Sequence, residues 1–247
     1  MKVNLFDMCF YCRFDMKKIK AVLFDLDNTL IDFMRMKEES CRAAVKAMIL
    51  AGLKMDEEEA FAELMNTYFN VGLESDYAIT EFLRGVGQFN HKILAAAINS
   101  YLKKKATLIE PYPDVELILK KLSERGIVTA IVTDAPKTKA YQRLLAMEFD
   151  SYFRFVVGFE DTGNGKHTGL PLKLALDKLQ KEFPGLENSE ILMVGDSIKR
   201  DMEPARKLGL KTALSKYGQI EKETSGSIDY ELSAITDLLK VIEEVKE

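Results

Sequence analysis

The sequence KAVLFDLDNTL, residues 20–30, determines how the rest of the chain is interpreted. An unbroken apolar run, residues 21–24, is followed directly by Asp25 and then by Asp27. Apolar runs of this kind are typical of strands that are buried on both faces of a parallel sheet. Because burying an unpaired carboxylate costs several kcal/mol, the two aspartates should lie at the end of the strand beside a partner. We expect that partner to be a divalent metal ion.

The length and composition of the chain are those of a soluble globular protein. Its 247 residues can build one large domain, or a core with a smaller inserted domain. The 35 basic and 39 acidic side chains give a net charge of −4 without a basic tail, so we expect no nucleic-acid partner. No apolar run approaches the roughly 20 residues that cross a bilayer, and no secretory signal is evident. We therefore expect no membrane partner and a cytoplasmic location.

Cys9 and Cys12 form a single CxxC pair near the N-terminus. A zinc site would need two further ligands, and the two histidines, His91 and His167, are distant in sequence. We interpret the pair as having no metal or redox role. Met16 begins a natural domain start, so residues 1–15 are interpreted as an N-terminal extension.

The pattern of apolar residues predicts an alternation of strands and helices, with one long helical interruption. Residues 33–107 show apolar residues at helical spacing and no convincing strand, which predicts an inserted helical lobe. After it, buried strands are predicted at 127–133 and 190–196, a further strand at 152–160 and a short one at 210–214, with helices between them. This order predicts an α/β fold, a Rossmann-like doubly wound parallel sheet whose core comprises residues 16–32 and 108–247.

Polar residues follow three of the predicted strands at their carboxyl ends, where such sheets bind ligands. Asp25 and Asp27 follow the first strand, Thr133 and Asp134 end the second in IVTDAP, and Asp196 ends a later one in MVGDSIKRD. One such residue alone would be explained as a helix cap, but three strands that end in this way at the same edge indicate a binding site. A cluster of carboxylate oxygens is what Mg²⁺ prefers.

The motifs DLDNT at 25–29, TD at 133–134 and GDSIKRD at 195–201 resemble those of the haloacid dehalogenase-like hydrolase superfamily. The resemblance covers residues 18–245, and the helical insertion is similar to that superfamily's cap domain. It implies a strand order of 5-4-1-2-3, in which Asp25 and Asp196 lie on neighbouring strands.

The resemblance also implies roles for the residues at the strand ends. Asp25 would be the nucleophile that forms an aspartyl-phosphate, and Asp27 the general acid and later the base. Mg²⁺ would be held by Asp25, the backbone carbonyl of Asp27 and Asp196, while Asp201 would support the metal's waters or a lysine. The transferring phosphate would be bound by Thr133 and the backbone N–H of Asp134.

The lysine of the superfamily's motif is less easily located. Lys166 lies at the expected place in the loop, but His167 stands where a proline is usual. Lys173, in the first turn of the following predicted helix, is the rival. We favour Lys166 as a substrate-binding residue.

The residues favour a Mg²⁺-dependent phosphatase that acts on a small phosphorylated metabolite, as a monomer or a homodimer. A phosphomutase would use the same residues and is the main alternative. A 2-haloacid dehalogenase is disfavoured because that group lacks the second aspartate, and a catalytically silent binding module would have lost a motif. Arg35 and Arg84 of the insertion are substrate-binding candidates by charge alone.

Overall fold

The computed structural model describes residues 18–220 and 227–243. The predicted extension, residues 1–15, with Cys9 and Cys12, lies outside the described residues. The helices of eight or more residues are α1 Phe33–Ala51, α2 Glu57–Val71, α3 Ala78–Gly85, α4 His91–Ala106, α5 Val115–Glu124, α6 Lys137–Ala146 and α7 Leu170–Glu182. Two shorter helices follow, α8 Glu203–Lys207 and α9 Leu238–Glu243.

Within the described ranges, six parallel strands form one sheet in the order β3-β2-β1-β4-β5-β6. They are β1 Ala21–Phe24, β2 Val128–Val132, β3 Val156–Val157, β4 Ile191–Gly195, β5 Lys211–Ser215 and β6 Tyr230–Leu232. The first five strands have the expected order, so β1, which carries Asp25 at its end, pairs with β4, which carries Asp196. The sixth strand extends the sheet beyond what was predicted.

The third strand is much shorter than predicted. Residues 152–160 were expected to form it, but only Val156 and Val157 pair with β2. Short 3₁₀ helices, Asp150–Tyr152 and Phe159–Asp161, form on either side of this pair. As an edge strand, β3 has one neighbour to supply its hydrogen bonds, so the flanking backbone is free to form local turns.

Helices cover both faces of the sheet. Successive side chains of each strand point to opposite faces, and since both sets are apolar, both faces must be covered. Val22 and Phe24 of β1 pack in one apolar cluster with residues of α5, α6 and α9. Ala21 and Leu23 pack in a second cluster with residues of α7 and α8. This arrangement confirms the predicted α/β doubly wound fold.

Residues 33–106, all of which the structure describes, contain helices α1–α4 and no strand. These four helices enclose a third apolar cluster of their own, in which Cys41 is buried. The chain leaves the core and returns to it side by side, since Ile31 pairs with Pro111 and the Tyr112 N–H donates to the Leu30 carbonyl at 2.9 Å. Throughout the described part of the chain, every helix is too short or too polar to cross a membrane.

Candidate active site

Three aspartates meet at the carboxyl edge of the sheet between β1 and β4. Asp25, Asp196 and Asp201 are all buried, and one carboxylate oxygen of each lies within 4.8 Å of those of the other two. The Asp25 N–H donates to the Val194 carbonyl at 2.9 Å, which continues the β1–β4 ladder to the site itself. Asp25 and Asp196, predicted from the strand ends, are therefore together, and Asp201 joins them.

Asp201 reaches the cluster because the chain after β4 forms a single π-helical turn, Ile198–Met202. Such turns are rare and occur frequently at functional sites. The Asp201 carboxylate accepts a hydrogen bond from the Ser197 N–H at 3.1 Å and lies against Gly195. A Cβ at position 195 would come within 2.4 Å of the Asp201 Oδ2, so only glycine leaves room for this carboxylate.

The turn after Asp27 reverses the chain directly above the sheet. Asn28 adopts φ 59°, a conformation that asparagine tolerates better than most residues, and its N–H donates to the Ile31 carbonyl at 2.7 Å. Gly218, which follows β5, packs on this turn so closely that a Cβ would lie 1.5 Å from the Asn28 carbonyl oxygen. The loops after β1 and β5 thus fix each other.

Lys166 is the lysine that the structure brings to the aspartates. Its Nζ lies 2.5 Å from the Asp25 Oδ1 and 2.5 Å from the Asp201 Oδ1, and the side chain is 1% exposed. Burial lowers the pKa of this ammonium, but the carboxylates of Asp201 and Asp25 outweigh it and hold the pKa above its usual value. Lys173, by contrast, pairs with Asp177 on the exposed face of α7.

The loop after β2 supplies Thr133 and Asp134 at the same edge. Thr133 is buried, and its N–H donates to the Val157 carbonyl at 2.9 Å, while its hydroxyl accepts from the Ala135 N–H at 3.1 Å. The Asp134 side chain accepts from the backbone N–H of Lys166 at 2.7 Å. This contact ties the lysine-bearing loop to the end of β2.

Asp27 faces a different partner from Asp25. Its Oδ2 accepts a hydrogen bond from the Arg143 Nη1 at 3.0 Å, and the Arg143 Nη2 contacts the Glu74 carboxylate between α2 and α3. The Asp27 Oδ1 is buried and has no hydrogen-bond partner among the described residues. Burial raises the pKa of Asp27 to about 7; Arg143 opposes this rise, whereas Asp25 and Glu74 add to it.

Arg143, Glu74 and Arg200 are site residues that the sequence reasoning missed. Arg143 lies on α6 with Ala140 and Leu144, at the spacing of one buried helix face, and a charge on that face was a readable signal. Arg200 lies within the π-helical turn, and its Nη2 is 3.5 Å from the Asp196 Oδ1. Glu74 lies in a connection between helices, where no pattern indicated a role.

The aspartate cluster fits a hard divalent cation. Burial raises the pKa of Asp196, and the neighbouring carboxylates of Asp25 and Asp201 raise it further. Lys166 and Arg200 offset only part of this negative charge. Buried carboxylate oxygens that converge in this way form the donor set that Mg²⁺ prefers, and a bound cation would relieve their mutual repulsion.

The other candidates of the sequence analysis lie elsewhere. His167 is exposed although it follows Lys166, and the His91 ring packs against the edge of Phe89. Arg84 pairs with Glu81 on the surface of α3. Arg35 lines a small surface cavity where the insertion joins the core.

Known proteins are similar to this chain over most of its length. The family model described as haloacid dehalogenase-like hydrolase matches residues 22–215, an interval that includes all of the clustered residues. The chain is 30% identical to a glyceraldehyde 3-phosphate phosphatase of Pyrococcus furiosus, over 92% of this chain and 95% of the relative. It is 27% identical to a phosphoglycolate phosphatase of Aquifex aeolicus, over 91% of this chain and 97% of the relative. The magnesium-bound structure of the HAD hydrolase YfnB from Bacillus subtilis shares the fold, with a TM-score of 0.68 at 16% identity, over 92% of this chain and 100% of that chain.

Proposed function

The chain belongs to the haloacid dehalogenase-like hydrolases, and on that basis we propose that it is a Mg²⁺-dependent phosphatase that hydrolyses small phosphate monoesters through an aspartyl-phosphate on Asp25. The observation that carries the proposal is the pair of carboxylates in contrasting environments. Asp25 is ion-paired with Lys166, whereas Asp27 is held by Arg143 with its pKa raised to about 7. A pair of this kind suits a nucleophile and a general acid that work at neutral pH.

In the first step, an Asp25 oxygen attacks phosphorus and the bond from phosphorus to the ester oxygen breaks. Asp27 gives its proton to the departing oxygen, for which a pKa near 7 is well matched. Lys166 holds the Asp25 carboxylate in one orientation through its 2.5 Å contact. The Thr133 hydroxyl and the Asp134 N–H bind the phosphoryl oxygens.

In the second step, Asp27 acts in the opposite direction. Its carboxylate now takes a proton from water, the water oxygen attacks phosphorus, and the Asp25–phosphorus bond breaks to release inorganic phosphate. Asp27 ends this step protonated, as it began, so the cycle can repeat.

Asp25, Asp196 and the backbone carbonyl of Asp27 would hold the Mg²⁺ ion in this proposal. The carboxylate cluster and the raised pKa of Asp196 support it. When bound, the ion supplies positive charge that stabilises the phosphoryl oxygens in the transition state. Asp201 holds the Lys166 ammonium in position through a 2.5 Å ion pair.

We also propose that the insertion, residues 33–107, is a cap that covers the site of a core comprising residues 16–32 and 108–247. The separate apolar cluster of α1–α4 supports this division. Contacts between the two parts support a position of the cap over the site, because Arg143 and Lys139 of α6 bind Glu74, and Lys139 also binds Asp76 at 2.7 Å. A covered site excludes water until hydrolysis needs it. We further propose that the substrate is a small phosphorylated metabolite, because the names of the relatives specify small phosphate esters. The proposed location is the cytoplasm.

The proposal is tested by hydrolysis of p-nitrophenyl phosphate with Mg²⁺ and with a chelator. We expect turnover that requires the metal and that falls at least about 1,000-fold in Asp25→Asn, because the nucleophile is removed. Asp177→Asn is the matched control, since this aspartate pairs with Lys173 on the surface. Turnover that survives in Asp25→Asn would contradict the nucleophile assignment.

A further inference from the structure

A cavity of about 550 Å³ lies between the helical insertion and the beginning of α6. Its core side begins at Pro136, two residues after Asp134 in the proposed phosphate-binding loop. Its volume is within the range that binds small molecules. The side chains that matter for its chemistry are the lysines Lys37, Lys105 and Lys139, the acids Glu74 and Asp76, and the tyrosines Tyr68 and Tyr101.

Lys37 is the least expected of these side chains, because it is a buried cation that has no counter-ion among residues 18–220 and 227–243. It is 3% exposed, its Nζ donates to the Tyr101 hydroxyl at 2.7 Å, and the same Nζ lies 4.0 Å from the centre of the Tyr68 ring. Among the described residues, no carboxylate is within ion-pair distance of it. Burial lowers the pKa of Lys37 to about 8, as expected for an ammonium that lacks a negative partner.

The remaining charges of the cavity leave an excess of positive charge. Lys139 is matched by Asp76 at 2.7 Å, and Glu74 is engaged by Arg143. Lys105 lines the cavity and, like Lys37, has no ion pair within the part of the chain that the structure describes. Two lysines therefore face the cavity without a carboxylate of the described residues to neutralise them.

The buried Phe33 and Arg143 side chains connect the lysine of the cavity to the proposed general acid. The Phe33 ring has the Lys37 Nζ 5.8 Å from its centre and the Arg143 guanidinium carbon 4.8 Å from it. Arg143 in turn binds Asp27. In the proposed mechanism Asp27 protonates the leaving oxygen, so the rest of the leaving group extends from that point. Arg143 and its partner Glu74, which lines the cavity, lie between this point and the lysines.

We propose that this cavity binds the leaving group of the substrate and that Lys37, assisted by Lys105, recognises a carboxylate on it. The inference rests on the proposed phosphatase function and narrows it to phosphate monoesters of short acids. A carboxylate would supply the missing counter-ion of the buried ammonium, and the adjacent tyrosine hydroxyl can donate a second hydrogen bond.

The experiment compares two esters that differ at the end remote from phosphate. 2-Phosphoglycolate carries a carboxylate there, and glyceraldehyde 3-phosphate carries an uncharged aldehyde. The quantity measured is the ratio of kcat/KM for the first to that for the second, in the Mg²⁺-loaded full chain. We expect Lys37→Met to lower this ratio about 100-fold, because a buried charged partner is lost. Lys37→Arg, which keeps the charge, should retain most of the ratio.

Lys103→Met is the matched control, because Lys103 is an exposed lysine of the same helix as Lys105 and does not line the cavity. Its ratio should equal that of the wild type. A second readout is independent of turnover: 2-phosphoglycolate should raise the Tm of Asp25→Asn more than it raises that of the Asp25→Asn, Lys37→Met double variant. If Lys37→Met does not fold, Lys105→Met gives the same comparison with a smaller expected loss.

The outcomes separate the two levels of the proposal. A wild-type protein that hydrolyses both esters with a ratio unaffected by Lys37→Met and by Lys105→Met overturns the carboxylate assignment and leaves the phosphatase intact. A ratio below one in the wild type also overturns it. A folded, Mg²⁺-loaded wild type that hydrolyses neither ester and not p-nitrophenyl phosphate overturns the phosphatase function itself.

Discussion

Arg143 and Lys37 share a position that is unusual for charged residues, on the buried faces of helices that are otherwise apolar. Arg143 lies between Ala140 and Leu144 on α6, and Lys37 lies between Phe33 and Cys41 on α1. In both cases, the helical spacing shows from sequence alone that a charge is directed inward. What the spacing does not show is the partner, because Asp27 and Glu74 reach Arg143 from distant parts of the chain.

Arg143 and Glu74 should shift the pH dependence of the reaction in opposite directions. In the proposed mechanism the general acid Asp27 must carry a proton, so kcat/KM is expected to fall as the pH rises through the pKa of Asp27. Arg143 lowers that pKa and Glu74 raises it. We expect the descending limb to move to higher pH in Arg143→Met and to lower pH in Glu74→Gln, by about one unit each.

The measurement is a profile of kcat/KM against pH with a simple aryl phosphate at saturating Mg²⁺. Lys173→Met, which removes an exposed ion pair with Asp177, is the control and should leave the limb in place. If the descending limb shifts in the same direction in Arg143→Met and Glu74→Gln, or shifts in neither, Arg143 and Glu74 have a structural role only.

At the scale of secondary structure, what could be predicted from sequence depended on burial. β1 and β4 are buried throughout, and β2 and β5 are buried except at their first residue. Each of these four strands was predicted within two residues of its ends. The edge strands lack that signal. β3 retains two paired residues, and β6 has the sequence Tyr-Glu-Leu, in which only Leu232 is buried.

The same limit applies to the site. Asp25, Asp196 and Thr133 could be predicted because they end buried strands, and strand ends have a known place in this architecture. Lys166 lies in a loop on a single 3₁₀ turn, so its reach to Asp25 depends on tertiary packing rather than on local pattern. For this reason, the position of Lys166 in the loop was the only argument from sequence for choosing it over Lys173.

A substitution of Gly195, the last residue of β4, tests whether the close approach of the π-helical turn to this glycine is needed to hold Asp201 beside Lys166. In Gly195→Ala the new Cβ would press on the Asp201 carboxylate, so the ion pair of Asp201 with Lys166 should be lost. We expect a loss of about 1–3 kcal/mol in the free energy of unfolding, measured in urea, and a fall in kcat/KM.

Gly85→Ala is the matched control for this substitution. Gly85 ends α3, and nothing lies within 4 Å of the position of its Cβ. Alanine there should be neutral or stabilise by up to about 1 kcal/mol, without changing the activity. If Gly195→Ala behaves in the same way as Gly85→Ala, the close approach of Asp201 has no consequence for the site.

At the scale of the whole molecule, the aspartate cluster makes folding and metal binding interdependent. A buried acid whose pKa is raised destabilises the folded state at neutral pH, and Asp196 is such an acid. A cation that binds the folded state alone stabilises it. We therefore expect Mg²⁺ to raise the Tm of the wild type, and Asp196→Asn to abolish most of that rise.

The same variant should be more stable than the wild type in the presence of a chelator, by about 2–4 °C in Tm, because one of the mutually repelling charges is gone. Both comparisons are made by thermal unfolding of the full chain with and without Mg²⁺. A wild type whose Tm does not respond to Mg²⁺ would contradict the metal assignment. Asp177→Asn again serves as the surface control.

The insertion is joined to the sheet at one paired crossing, where Ile31 and Pro111 lie side by side. In evolutionary terms, such an attachment would allow residues 33–107 to be replaced as a unit, provided that the replacement also supplies a partner for Arg143 where Glu74 now lies. Lys37 and Lys105 travel with the insertion, whereas Asp25 and Lys166 stay with the sheet. The proposed substrate-binding lysines can therefore change while the proposed catalytic residues of the sheet are kept, so long as the contact of the insertion with Arg143 is preserved.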